Sequence, residues 1–130
     1  MSKIEDYVPI VGEQVVDDLF TIAKELKGKT ITNINSTAVG GGVAEILTRM
    51  IPLLRELGVD AGWEVIKGND RFFNITKKIH NALHGVDVAL SEEEVDYFLE
   101  VERENAENIN LEGDVVFVHD PQPIALVEKK

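Results

Sequence analysis

The stretch Thr30-Ile31-Thr32-Asn33-Ile34-Asn35-Ser36-Thr37-Ala38-Val39-Gly40-Gly41-Gly42-Val43-Ala44-Glu45-Ile46-Leu47 decides the fold. Its first six residues set β-branched Ile and Thr among polar ones, so Thr30 to Asn35 reads as a strand. Three consecutive glycines follow. From Val43 the apolar residues recur at helical spacing: Ala44, Leu47, Ile51, Leu54 and Leu57 form the deepest stripe, widened by Val43, Ile46, Met50 and Leu53. A helix apolar on nearly every side is expected to pack on more than one side. Pro52 lies inside it and removes one backbone donor, which predicts a bend. Strand, glycine turn and helix in that order open a parallel α/β unit.

The same reading extends in both directions. Upstream, Val15, Val16, Leu19, Phe20, Ile22, Ala23 and Leu26 predict a helix over 13–27 that stops at Gly28. Downstream, Ala61 to Ile66 reads as a second strand and holds the only tryptophan, Trp63, as a core residue. The turn Gly68-Asn69-Asp70 starts a helix to about Leu83, with Phe72, Ile75, Thr76, Ile79 and Leu83 on one face and Gly85 after it. Ser91, with Glu94 three residues on, is a capping box that opens an acidic helix. Val95, Phe98, Leu99 and Ala106 are its expected inner face. Asp114-Val115-Val116-Phe117-Val118 is nearly continuous in apolar side chains, as in a strand buried on both faces. Ile124 to Val127 reads as the start of a further helix. The order α-β-α-β-α-α-β predicts a parallel sheet with right-handed crossovers placing helices over its faces, and if the third strand returns to the free side of the first its order is 2-1-3. Ligands in such sheets bind beyond the strand C-termini at the switch point, here between strands one and three. That would bring Asn35 to Gly42 toward His119-Asp120.

Composition limits the function. The 130 residues fit one domain, and 44% are apolar. There is no cysteine, which excludes disulfides, thiolate metal sites and thiol nucleophiles and suits a reducing cytoplasm. The N-terminus lacks a signal-peptide core, and no apolar run reaches the ~20 residues of a membrane span. A net charge of −11 argues against nucleic acid and against an anionic membrane as partners. Much of that charge lies between Ser91 and Glu112, where Arg103 is the only base. That pattern reads as a solvated helix face, and it lacks the spacing of a calcium loop.

Three segments carry candidate chemistry. Gly40, Gly41 and Gly42 between strand and helix suit either a tight turn or backbone donors approaching a phosphate or a sugar. The spacing is neither that of a Walker loop nor that of a dinucleotide fingerprint. His119-Asp120-Pro121-Gln122-Pro123 ends a strand. It is either a rigid polar turn or a sugar site, since His119, Asp120 and Gln122 can bond hydroxyls there. The ridge Phe73, Lys77, His80, Asn81 and His84 shares one helix face. Lys77, His80 and Asn81 are possible substrate contacts or simply surface. His80 and His84 have a metal-binding spacing but no evident third ligand, so no metal is assigned. No catalytic residue can be named, because no nucleophile–base triad assembles.

These segments together resemble a family. Asn33 to Leu47, Val65-Ile66-Lys67-Gly68, Phe72-Phe73-Asn74-Ile75-Thr76-Lys77-Lys78 with His80-Asn81-Ala82-Leu83, and Val118-His119-Asp120-Pro121-Gln122-Pro123 stand in the order and spacing of the glycosyltransferring trehalose synthases of archaea and bacteria. The resemblance covers nearly the whole chain after Glu13 and extends to trehalose phosphorylases of the same glycosyltransferase family 4. It implies a Rossmann-like sheet with flanking helices, forming the first part of the N-terminal, acceptor-side domain of a GT-B enzyme. It implies retaining transfer of glucose from a nucleoside-diphosphate glucose to glucose, with no metal and no cofactor beyond that co-substrate. Gly40, Gly41 and Gly42 would reach the donor phosphates and sugar. Asp120, His119 and Gln122 would hold the acceptor sugar, with Asn35 and Ser36 as lesser candidates. Such enzymes run to roughly 400 residues, as two large domains require. The nucleotide-sugar domain, and a sugar-contacting His on the next strand, would then lie outside these 130 residues. The resemblance therefore implies a chain inactive alone, self-associating or completed by a C-terminal half, and acting in the cytoplasm. The alternative is a non-catalytic sugar-binding or interaction module derived from that domain.

Overall fold

A computed structural model describes residues 3–129. The elements run from a 3-10 turn, Ile4–Tyr7, through α1 (Val8–Val11) and α2 (Glu13–Ala23), a second 3-10 turn (Lys24–Leu26), β1 (Thr30–Asn35), α3 (Gly42–Glu56) and β2 (Asp60–Val65). Then follow α4 (Asp70–Leu83), α5 (Glu92–Asn108), β3 (Val115–Val118) and a 3-10 helix, Ile124–Lys129. The sheet has the order β2-β1-β3. It is parallel, because the bonds climb in the same direction on both sides of β1. Asp60 N–H donates to Lys29 O and Ile66 N–H to Asn35 O, while Asp114 N–H donates to Thr30 O and His119 N–H to Ile34 O. The third strand thus returns to the free side of the first, the condition under which the order is 2-1-3.

The chain divides into two compact units, each containing part of every strand. The first holds the helices before β1, residues up to Asn33, Val39–Trp63 and Glu112–Phe117. Its core is Leu47, Ile51 and Ala61, with Val43, Met50, Leu54 and Trp63 packed against them. Trp63 is therefore a flank of the core and remains half-exposed. Arg55 Nε closes the crossover by donating to Ala61 O at 2.8 Å. At the start of the sheet, the Asp114 carboxylate accepts from Lys29 Nζ at 2.7 Å and from Thr30 N–H at 2.9 Å. The Lys29 ammonium and this backbone bond hold the Asp114 pKa below the usual carboxylate range.

The second unit holds Ile34–Ala38, Glu64–Leu111 and the chain from Val118. Asn69 caps α4 by accepting from Phe72 N–H, and Ser91 and Glu94 form the capping box read from the sequence. Phe72 is fully buried and stacks on Phe98, with ring centroids 5.7 Å apart. Along the outer edges of α4 and α5, Arg71 pairs with Glu93 and lies over the Tyr97 ring. Such exposed pairs contribute little to stability.

Several burial expectations need correction. Strand β3 is not buried on both faces: Val115 and Phe117 are exposed, because β3 is an outer strand of the sheet among the described residues. Helix α3 is not covered all round, since Ile46 is 60% exposed, and it runs on through Pro52. Leu83 and Val95 face solvent at the ends of their helices. The stripe of α5 instead buries Phe98, Glu102 and Asn105, so the acidic helix is not wholly a solvated face. Of the apolar residues in 13–27, only Val16 and Ala23 are buried. Val15, Val16 and Leu19 line an apolar groove of about 220 Å³ together with Ile4, Tyr7, Val11 and Leu53.

Candidate functional site

The strand C-termini in the second unit gather the sugar-site candidates. Parallel pairing sets the ends of β1, β2 and β3 side by side, through Ile66 N–H to Asn35 O at 3.0 Å and His119 N–H to Ile34 O at 2.8 Å. This brings Asn35 and Ser36 together with His119 and Asp120. Asn35 is buried, and its Nδ2 donates to Thr37 O at 2.7 Å, so its side chain shapes the loop that carries Ser36. Ser36 is half-buried.

Beyond β3 the chain turns sharply. Asp120 has φ +68°, the only positive value at a non-glycine among the described residues. Asp tolerates this left-handed backbone better than most residues, and such conformations concentrate at functional sites. Its carboxylate is exposed, while His119 and Gln122 are half-buried and Pro123 is buried. The Gln122 Oε1 is sealed from solvent without a hydrogen-bond partner among the described residues. Pro123 O accepts from Leu126 N–H at 3.1 Å, which ties the turn into Ile124–Lys129. The result is an exposed acceptor-only carboxylate beside an imidazole and an amide, a set able to bond sugar hydroxyls.

Lys77 and His80 are exposed on α4, and Asn81 is half-buried. The rings of His80 and His84 lie 4.2 Å apart, and His84 Nδ1 sits 2.8 Å from His80 O. Among the described residues no three His, Asp or Glu side chains gather as a metal site.

The glycine loop belongs to the first unit. Gly40 and Gly41 take φ +75° and +82°, whereas Gly42 starts α3 without a left-handed φ. A Cβ at any of the three would meet nothing within 4 Å. Two properties thus separate: Gly40 and Gly41 are required by backbone conformation, and Gly42 is not. An open groove of about 860 Å³ runs from Gly42 along α3 past Glu45, Ile46, Arg49 and Leu53.

Two residues were missed at the level of sequence. Asn105 and Glu102 are buried on α5 at positions that the stripe from Phe98 assigns to the interior. The signal was present as polar residues four and seven positions after Phe98, but the surrounding acidic residues masked it. No described helix is long and apolar enough to cross a membrane.

A profile of the N-terminal domain of trehalose synthase matches residues 33–130. The trehalose synthase of Pyrococcus horikoshii is 50% identical over 128 residues, which are 97% of this chain and 31% of that protein. The trehalose synthase of Rubrobacter xylanophilus is 41% identical over 131 residues, again 98% of this chain and 31% of its own length. A trehalose phosphorylase of Pleurotus pulmonarius is 34% identical over 140 residues, 98% of this chain and 19% of that protein. The chain spans 31% of the length of the trehalose synthases it matches.

Proposed function

Because the chain belongs to the family of trehalose synthase N-terminal domains, we propose that it forms the acceptor side of a retaining transferase. That enzyme passes glucose from a nucleoside-diphosphate glucose to glucose and yields trehalose. The observation that carries this reading is the turn His119–Gln122. It lies inside the matched segment, at the C-terminal ends of parallel strands, and holds Asp120 exposed in a left-handed backbone. In this reading the Asp120 carboxylate accepts hydroxyl protons of the acceptor glucose, and His119 and Gln122 line its pocket. Asn35 and Ser36 shape the neighbouring loop, and Lys77, His80 and Asn81 are outer contacts. Backbone N–H groups of Gly40, Gly41 and Gly42 serve the donor phosphates and sugar. No residue here is assigned a covalent or proton-transfer role, and the nucleotide sugar is the only co-substrate. With a net charge of −11, the chain offers little to neutralise a diphosphate. The 130 residues alone therefore make no trehalose, and the reaction, set in the cytoplasm, needs the remaining two thirds of the enzyme.

Asp120→Asn tests the assignment in a complete transferase carrying this domain. Asn tolerates the left-handed backbone, so the fold is kept while the charge is lost. The expected result is a KM for glucose raised about tenfold or more, with the KM for the donor within about twofold of wild type. Equal effects on both, or none, would overturn the acceptor-side reading.

A further inference from the structure

Helix α5 buries two polar side chains beneath loops of the second unit. Asn105 grips the backbone of Lys67: its Oδ1 accepts Lys67 N–H at 2.7 Å, and its Nδ2 donates to Lys67 O at 2.8 Å and to Val101 O at 2.9 Å. Glu102, one turn earlier, is 2% exposed, and neither carboxyl oxygen has a hydrogen-bond partner among the described residues. A buried carboxyl left without a partner is costly, so its retention calls for a cause.

The surroundings supply one. Leu99, Arg103 and Ala106 of α5 and Ala125, Glu128 and Lys129 of the following 3-10 helix enclose a space of about 10 Å³ at Glu102. That is about the room of one water. The nearby N–H groups of Ala125 and of Leu126, the latter donating to Pro123 O, favour the charged form of the carboxyl without closing a direct bond. Burial opposes them and prevails, and the pKa is pushed up to about 7. These amides follow directly on the turn that holds His119, Asp120 and Gln122.

We propose that Glu102 is a positioning residue: through one water it anchors the backbone N–H of Ala125, next to the Leu126 N–H that Pro123 O already holds, and thereby fixes the His119–Gln122 turn for a sugar. The sugar clause rests on the function proposed above, whereas the anchoring stands on α5 and the turn alone. Charged Glu102 accepts more strongly than the protonated form, so the anchor tightens as the carboxyl ionises. The other charged groups lining its space are Arg103 on the same helix and Glu128 and Lys129 on the 3-10 helix.

The test uses the ¹⁵N-labelled 130-residue chain, with glucose and trehalose as probes. In the wild type, the Ala125 and Leu126 amide resonances should titrate with a midpoint of about 7. Glu102→Gln keeps an acceptor but no proton to lose, so the same resonances should stay flat. Glu102→Ala should speed amide exchange at Ala125 and Leu126 about tenfold or more, while Glu102→Gln stays within about threefold of wild type. Glucose affinity should fall with Ala and recover with Gln. A titration that persists in Glu102→Gln belongs to another group and overturns the proposal, as do amides that ignore both substitutions. If Glu102→Ala fails to fold, the flat or persisting titration in Glu102→Gln still decides. If the amides behave as stated but no form binds either sugar, the anchoring is supported and the sugar reading falls.

Discussion

At the residue scale, the three glycines of the β1–α3 loop make different predictions. Gly41 needs its positive φ, so any side chain there strains the backbone by about 1–2 kcal/mol, whatever it touches. Gly42 carries no such demand, and a Cβ there meets open space. Gly42→Ala is therefore the clean probe of a donor cradle. In the complete enzyme it should leave the melting temperature of the domain unchanged or raised, yet raise the donor KM severalfold. Unchanged kinetics would mean that the loop is only a turn. Gly41→Ala should lower stability and so cannot separate the two effects. Glu102 makes a pH prediction. Its folded pKa, about 7, lies above the 4.5 of an ordinary Glu, so the native state holds the proton more tightly than the unfolded chain. Its contribution is then greatest below about pH 4.5 and is lost as the pH rises to about 7. Asp114 and Glu94, with lowered pKa values, act in the opposite direction and are common to both proteins compared. Denaturant unfolding should show Glu102→Gln gaining on wild type across this window. The gain should be on the order of 3 kcal/mol. A constant difference between the two curves would contradict the raised pKa.

At the scale of elements, strands and caps were the most legible features. Thr30 to Asn35 reads as a strand because it is rich in β-branched Thr and Ile, and the structure gives β1 those bounds. Ser91 and Glu94 announce α5 because the capping box is a local hydrogen-bond arrangement that needs no tertiary partner. Burial was less legible, since it depends on what lies across from each face. Val115-Val116-Phe117-Val118 has the composition of an interior strand, yet β3 occupies an outer position and exposes 39% of Val115 and 52% of Phe117. The 3-10 turn and short helix before α2 carry too little periodicity to be read. In the candidate site, the approach of His119 to β1 followed from topology. The left-handed Asp120 and the buried Glu102 did not, because single-residue backbone strain and unpaired burial leave no periodic trace. The exposed β3 edge also has a consequence. It has neither Lys nor Pro, the usual guards against strand addition. The chain is expected to self-associate at micromolar concentration, most simply as a two-fold dimer, as read by light scattering. Phe117→Lys should shift it toward monomer. A wild type that stays monomeric would show that the edge is guarded by other means.

At the scale of the whole molecule, the account joins a parallel sheet, a turn at its C-terminal edge and a family of trehalose synthase N-terminal domains. The sheet fixes where ligands can approach, because the strand C-termini present the loops. The charge makes the domain a poor holder of a diphosphate and suits it better to a neutral sugar. The glycine loop lies in one unit and the Asp120 turn in the other. The most direct measurement is a chemical-shift map of the ¹⁵N-labelled chain titrated with glucose. The account predicts shifts concentrated at Asn35, Ser36, His119, Asp120 and Gln122, with α2 unmoved and Asp120→Asn weakening the response about tenfold or more. Shifts centred elsewhere, or none at saturating glucose, would contradict the acceptor-side reading.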